Sequence, residues 1–246
     1  MFTLRQVAKV FSNGTKALDG IDAEIAPGSF VALLGPSGCG KSTLLRLLSG
    51  LDVPSSGEIA WGHAGKPDPG EIGYVFQDPT LLPWADAAEN VYLPLRLRGV
   101  SRAEGMPRVM AALAQVGLDG FEHAKPKALS GGMRMRVSIA RALVSEPALL
   151  LMDEPFAALD EFTRHKLQDD LLVLWRQTGK TVVFVTHSIY EAAYLANRIM
   201  IMTPRPGRIA MALTPKLPDG PGRRESAEYH RLVAGITGDF KRIMPV

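Results

Sequence analysis

The stretch GPSGCGKST at 35–43 fits the pattern G-x-x-x-x-G-K-[ST], in which backbone amides wrap around phosphate oxygens. Gly35, Gly38 and Gly40 let the chain turn sharply and come close to an anion. Lys41 has the reach for β and γ phosphates, and the Ser42 hydroxyl is a hard oxygen ligand suited to Mg2+. With Pro36, Ser37, Cys39 and Thr43 these residues make one expected phosphate-binding loop. A second cation ligand is expected from the end of a neighbouring strand, and ALLLMDEP at 148–155 supplies Asp153 there. Glu154 follows directly, placed to polarise a water beside the γ phosphate. Asp169 and Asp170 are also adjacent carboxylates, but they fall within a helical pattern and read as a solvated face.

Such groups work only if the fold delivers them to one edge. SFVALL at 29–34 is an uninterrupted apolar run, as a strand buried on both faces would be, and STLLRLLSG after the loop reads as a helix stopped by Gly50. Three further runs, IGYVF at 72–76, ALLLM at 148–152 and TVVFV at 181–185, end in Gln77, Asp153 and Thr186 with His187. Open parallel sheets bind ligands at the carboxyl ends of their strands, so four polar strand ends predict one site. Leu167, Leu171, Leu174 and Trp175 share a helical face that ends at Gly179, as in the crossover of a βαβ unit. Runs at 2–10 and 16–25 flank SNGT, a hairpin signal. Residues 85–142 read as helical stretches broken at Pro94, Gly99, Pro107 and Gly117, and the tail from about Pro215 holds one helix near 227–235.

The 246 residues are enough for one large domain or two small ones, and 46% hydrophobic with 22% charged residues is an ordinary globular composition. A net charge of +3, spread along the chain, gives no reason to expect nucleic acid. The opening MFTLRQVAKVF lacks the apolar core of a secretory signal, and no apolar run approaches the roughly 20 residues of a membrane span. The lone Cys39 rules out an intrachain disulfide and reads as a small residue filling a tight loop. His63, His123, His165 and His230 read as surface or packing residues, and Arg134, Arg136 and Arg141 as a solvated helix face.

A third motif, LSGGM at 129–133, decides among phosphate-handling classes. Ser130, Gly131 and Gly132 open the helical run MRMRVSIARAL and make a second anion-binding helix end. With this motif the chain resembles the ATP-binding cassette (ABC) ATPases over nearly its whole length. The resemblance implies an α/β fold: a P-loop (RecA-like) core with a mostly parallel sheet, an N-terminal antiparallel β-subdomain and an inserted helical subdomain. The core would span 1–84 and 143–214, the helical signature subdomain 85–142, and a tail 215–246.

The same resemblance implies ATP and Mg2+ as cofactors. Phe11 is similar to the aromatic that stacks on adenine, and Gln77 to the loop glutamine that ligates Mg2+ and links nucleotide to a membrane partner. His187 is similar to the histidine that steadies the γ phosphate, and Asp160 to a dimer-contact aspartate. Ser130, Gly131 and Gly132 would cap the ATP held by a second copy in a head-to-tail dimer. Met133 and Met135 stand where the family commonly has Gln.

LLPW at 81–84, DEPFAALD at 153–160 and RPGRI at 205–209 are most similar to ATPases of nitrate, sulfonate and taurine importers. This implies transmembrane permease subunits on separate chains, an extracytoplasmic solute-binding protein acting indirectly, and a peripheral position on the cytoplasmic face of the inner membrane. The alternative is a soluble cassette ATPase acting on nucleic acid or ribosomes, but the chain has neither a coiled-coil insertion nor a second cassette. LSGG disfavours a P-loop kinase. For a GTPase, the nearest approach to N/T-K-x-D is TKALD at 15–19, one residue too long and ahead of the loop.

Overall fold

Asn13 and Gly14 form the turn that the sequence predicts. Gly14 takes φ +81°, and the Asn13 side chain accepts the Thr15 amide at 3.0 Å. The computed structural model describes residues 1–62, 65, 67–218, 220 and 222–244; His63 lies outside them. In chain order the elements are β1 (Phe2–Val10), β2 (Lys16–Ile25), β3 (Phe30–Leu34), α1 (Lys41–Ser49), β4 (Ser56–Trp61), β5 (Ile72–Val75), α2 (Ala87–Leu97) and α3 (Arg102–Gln115). There follow α4 (Gly131–Leu143), β6 (Leu149–Asp153), α5 (Glu161–Thr178), β7 (Thr181–Thr186), α6 (Ile189–Leu195), β8 (Arg198–Met202), β9 (Ile209–Leu213) and α7 (Ala227–Ile243). They fall into two compact units, Met1–Lys66 with Thr181–Val246, and Pro67–Lys180.

The first unit carries an antiparallel sheet ordered β2-β1-β4 and a second sheet ordered β7-β3-β8-β9. β3 runs parallel to both β7 and β8, and β9 closes the edge antiparallel. Every residue of β3 and β7 is buried, which is why both read as unbroken apolar runs. Phe30 and Phe184 meet edge to face at 6.0 Å. Side chains satisfy the amides leading into β3: Gly28 donates to Thr181 Oγ1 at 2.9 Å and Phe30 to Asn197 Oδ1 at 3.0 Å. Leu34 pairs with Thr186, so the loop after β3 and His187 leave the sheet at the same edge.

In the second unit β5 and β6 are parallel, with Val75 opposite Met152. Gln77 and Asp153 therefore emerge at the same end of this pair. The remainder is helical, with α2, α3 and α4 packing on one another through Val91, Leu95, Val109, Leu113 and Val137, all 0–1% exposed. The α/β class with parallel and antiparallel sheets is as expected.

Several sequence expectations are corrected. Pro94 and Pro107 lie inside α2 and α3 without breaking them. Each removes one backbone hydrogen bond, but packing of both helices, and the Asp86 and Ser101 caps, outweigh that local cost. Three strands escaped the reading. β8 and β9 are short Met- and Ala-containing runs whose strand state comes from pairing with β3 and with each other. β4 is half exposed and depends on Gly57, whose missing Cβ makes room for the Gln6 carbonyl. The tail helix continues past Gly235 to Ile243, because Tyr229 and Ile236 are buried and contacts with α6 hold α7 despite two glycines. No helix among the described residues is long and apolar enough to cross a membrane.

Candidate functional site

Residues 35–40 leave β3 and turn into α1 through two left-handed glycines, Gly38 at φ +74° and Gly40 at φ +106°. Gly40 is also the N-cap of α1, and no side chain occupies the cap. First-turn amides have no partner within their own helix, which suits such an end to an anion. A Cβ on Gly40 would stand 2.8 Å from the Ala17 carbonyl, and one on Gly207 would collide with the Cys39 carbonyl. The loop is wedged between β2 and the turn before β9, and Arg205 donates to the Gly38 carbonyl at 3.2 Å. Neither Gly207 nor Arg205 was found from sequence in this role, since both lie more than 160 residues away.

Lys41 is 4% exposed, and its Nζ donates to the Gly35 and Pro36 carbonyls at 2.8 Å each. Cys39 is 1% exposed with Sγ 4.0 Å from that ammonium. It fills the loop interior, as expected of a small residue. Ser37 and Ser42 are exposed, and Pro36 and Thr43 half-buried. His187 is exposed at the end of β7, on a short built support. The Thr186 hydroxyl donates to Glu191 Oε2 at 2.5 Å and accepts the Ser188 amide at 2.9 Å. Ser188 caps α6 by accepting the Glu191 amide at 3.4 Å. The TVVFVTHS pattern located His187; the role of buried Glu191 carried no sequence signal.

In the second unit, Gln77 is exposed just past β5, and Asp153 is the last residue of β6. Glu154 adopts φ +45°, a left-handed conformation that costs a non-glycine residue about 1–2 kcal/mol. Strain of this kind collects at functional positions. Pro155 and Phe156 beyond it are buried and anchor the turn.

Ser130 caps α4, its hydroxyl accepting the Met133 amide at 3.2 Å. The two glycines that follow differ. A Cβ on Gly132 would overlap the Thr163 methyl, whereas one on Gly131 would meet nothing nearer than 4.0 Å. Gly132 serves packing, whereas Gly131 has no such neighbour to make room for. Asp160 caps α5 by accepting the Thr163 amide at 3.0 Å, and this backbone hydrogen bond is the main cause of its lowered pKa. Phe11 is 40% exposed in the β1–β2 turn, with Lys9 Nζ 5.6 Å from its ring centre.

The arginines of α4 are not a solvated face. Arg136 is 8% exposed, donates to the Val116 carbonyl and pairs with Asp170 at 2.7 Å. Arg134 holds the Leu129 carbonyl at 2.9 Å, and Arg141 holds residues 79 and 80. Asp170 is likewise a structural partner. Beside β5, a groove of about 510 Å3 is lined by Ile72, Tyr74, Phe76, Leu93, Leu97 and Arg98, among others.

The hydroxyl of Ser42, the carboxylate of Asp153 and the amide oxygen of Gln77 are hard donors of the kind Mg2+ takes. Among the described residues no three His, Cys, Asp or Glu side chains cluster as a closed metal cage. A few protein oxygens, completed by phosphate and water, is the coordination usual for Mg2+.

The ABC transporter family model matches residues 18–157. An uncharacterized ABC transporter ATP-binding protein of Methanocaldococcus jannaschii is 45% identical over 230 residues, covering 92% of this chain and 86% of that protein. The taurine import ATP-binding protein TauB of Yersinia pestis bv. Antiqua is 47% identical over 202 residues, covering 82% and 79%. A dimeric post-hydrolysis state of the ATP-binding cassette MJ0796, bound to ADP and Pi, is similar with TM-score 0.77 and 36% identity, covering 87% of this chain and 98% of that one. The cbiO1 protein of Clostridium perfringens, part of the ABC transporter complex cbiONQ, has TM-score 0.80 and 28% identity, covering 98% and 96%.

Proposed function

The chain belongs to the ABC transporter family as an ATP-hydrolysing subunit, and on that premise we propose that it powers uptake of a small solute, nitrate-, sulfonate- or taurine-like, through a separate membrane permease. The observation that carries this reading is the presence of two glycine-rich helix starts, α1 behind Gly40, which no side chain caps, and α4 behind Ser130, whose hydroxyl takes the Met133 amide while the Gly131 position beside it is uncrowded. One triphosphate needs a single cradle, so the second is best used on the nucleotide of another copy. Two chains would then close head to tail over two ATP.

In that arrangement the loop amides of 35–43 and Lys41 bind the β and γ phosphates. Ser42, Asp153 and Gln77 would hold Mg2+, which would offset phosphate charge. Glu154 accepts a proton from the attacking water as its oxygen bonds to the γ phosphorus and ADP departs. His187 steadies the γ phosphate, and Phe11 stacks on adenine. Ser130, Gly131 and Gly132 of one copy, with Asp160 at the dimer contact, complete the pocket of the other. The electrostatic gain comes from donors fixed in advance around the transferring phosphoryl group.

The relatives named for taurine import, and the cbiONQ complex to which cbiO1 belongs, support an importer with membrane partners. The apolar groove beside Gln77 suits a permease element and would place the chain at the cytoplasmic face of the membrane. An extracytoplasmic binding protein would deliver the solute.

Subunit mixing tests the shared pocket. Lys41→Ala lacks a cradle but keeps its signature, whereas Gly131→Val keeps its cradle and blocks its signature. Each alone should hydrolyse ATP slowly, and an equimolar mixture should recover a substantial part of the wild-type rate from one intact composite pocket per mixed dimer. A mixture no faster than its components would reject the arrangement.

A further inference from the structure

The segment after Gln77 is tied to the helix that begins at the signature. Arg141, ten residues along α4 from Gly131, donates through Nη2 to the Pro79 carbonyl at 2.7 Å and to Thr80 Oγ1 at 3.1 Å. Its Nη1 donates to the Thr80 carbonyl at 3.0 Å. One planar guanidinium thus takes three acceptors from two consecutive residues, a geometry that a lysine cannot reproduce. The turn it grips is otherwise slight. Thr80 sits at φ +46°, and the Asp78 carboxylate accepts its amide at 3.1 Å. Gln77, Asp78 and Thr80 are all exposed. The half-buried Arg141 side chain therefore joins residues separated by 61 positions in sequence.

We infer that Arg141 is a positioning residue for hydrolysis, splinting the Pro79–Thr80 turn onto α4 so that Gln77 and the Ser130-Gly131 helix end are carried as one piece. The inference rests on the roles proposed above for Gln77 and the signature. It assigns Arg141 no contact with nucleotide. Without the splint Gln77 would wander on its exposed segment, and a misplacement of about 1 Å near reacting groups can cost as much as 100-fold in rate. Binding of ATP by the loop at 35–43 needs no such help.

The test compares Arg141→Ala, Arg141→Lys and Gln77→Ala, with the double variant Arg141→Ala/Gln77→Ala. Arg141→Ala should lower kcat by about tenfold and raise several-fold the Mg2+ concentration for half-maximal rate. Its affinity for a fluorescent ATP analogue should stay within about twofold of wild type, and Arg141→Lys should restore part of the rate. Amide exchange should quicken at 78–82 while α4 stays protected; faster exchange throughout α4 would mark a merely structural role and overturn the inference. If Arg141 acts through Gln77, the double variant should be no slower than Gln77→Ala alone. Multiplying losses in the double variant would overturn the splint while leaving Gln77's role standing. Full-rate hydrolysis by Gln77→Ala would instead remove the role proposed for Gln77, and unchanged exchange at 78–82 in Arg141→Ala would overturn the splint independently.

Discussion

Gly132 packs its bare Cα against the Thr163 methyl, joining the first turn of α4 to the first turn of α5. Its neighbour Gly131 faces open space. Two adjacent glycines in one motif therefore answer to different demands, and substitution should separate them. Gly132→Ala should lower stability by roughly 1–3 kcal/mol through overpacking, read as a drop of several degrees in Tm. Gly131→Ala should leave Tm nearly unchanged yet slow hydrolysis at least about tenfold, because in the proposed head-to-tail arrangement it would crowd the donors that meet the partner's nucleotide. Equal effects of the two on Tm and rate would contradict the division.

Glu154 combines a proposed general-base role with a strained backbone. Glu154→Gln should retain ATP binding and lose hydrolysis by about 10² to 10⁴-fold. Glu154→Gly should be equally inactive but no less stable than wild type, because glycine takes φ +45° without the steric cost. Calorimetry beside a phosphate-release assay reads both; near-normal turnover in either variant would remove Glu154 from the chemistry.

Lys41 and Cys39 share the loop interior. Lys41→Ala should weaken binding of a fluorescent ATP analogue by about tenfold or more, and unchanged affinity would count against the cradle. Alkylation of Cys39 should be slow in the free protein, given its burial, and slower still with Mg·ATP. Equal rates with and without nucleotide would place the thiol away from the bound phosphates.

Thr186 supports the turn that presents His187. Thr186→Val removes a hydroxyl that bonds both Glu191 and the Ser188 amide. Leaving the buried carboxylate short of a donor should cost about 1–3 kcal/mol. If the turn orients His187, kcat should fall further than KM rises, and Thr186→Ser should recover most of the rate. A Val variant with reduced Tm but wild-type kcat would limit Thr186 to structure.

Much of the site was legible because its parts are contiguous. GPSGCGKST, DEP after ALLLM, and LSGG each bring a turn, a helix start and their polar groups together within ten residues, so spacing alone encodes the local geometry. The prolines of α2 and α3 misled for the complementary reason. Their local cost is plain in the sequence, but the packing that outweighs it comes from distant residues. Arg136 and Arg141 misled in the same way, since nothing near them in the chain shows that they are engaged by Val116, Asp170, Pro79 and Thr80.

By itself the sequence marked the family resemblance, most of the buried strands and the candidate phosphate-binding residues, because motif spacing and hydrophobic runs act over a single turn or strand. Only the tertiary structure decided which strand ends stand level, as Leu34 does with Thr186 and Val75 with Met152. It alone showed what holds the loops between them, as Arg141 holds Thr80 and Gly207 admits Cys39. Those relationships arise from packing between residues far apart in the chain, and such contacts leave no periodic trace in the order of amino acids.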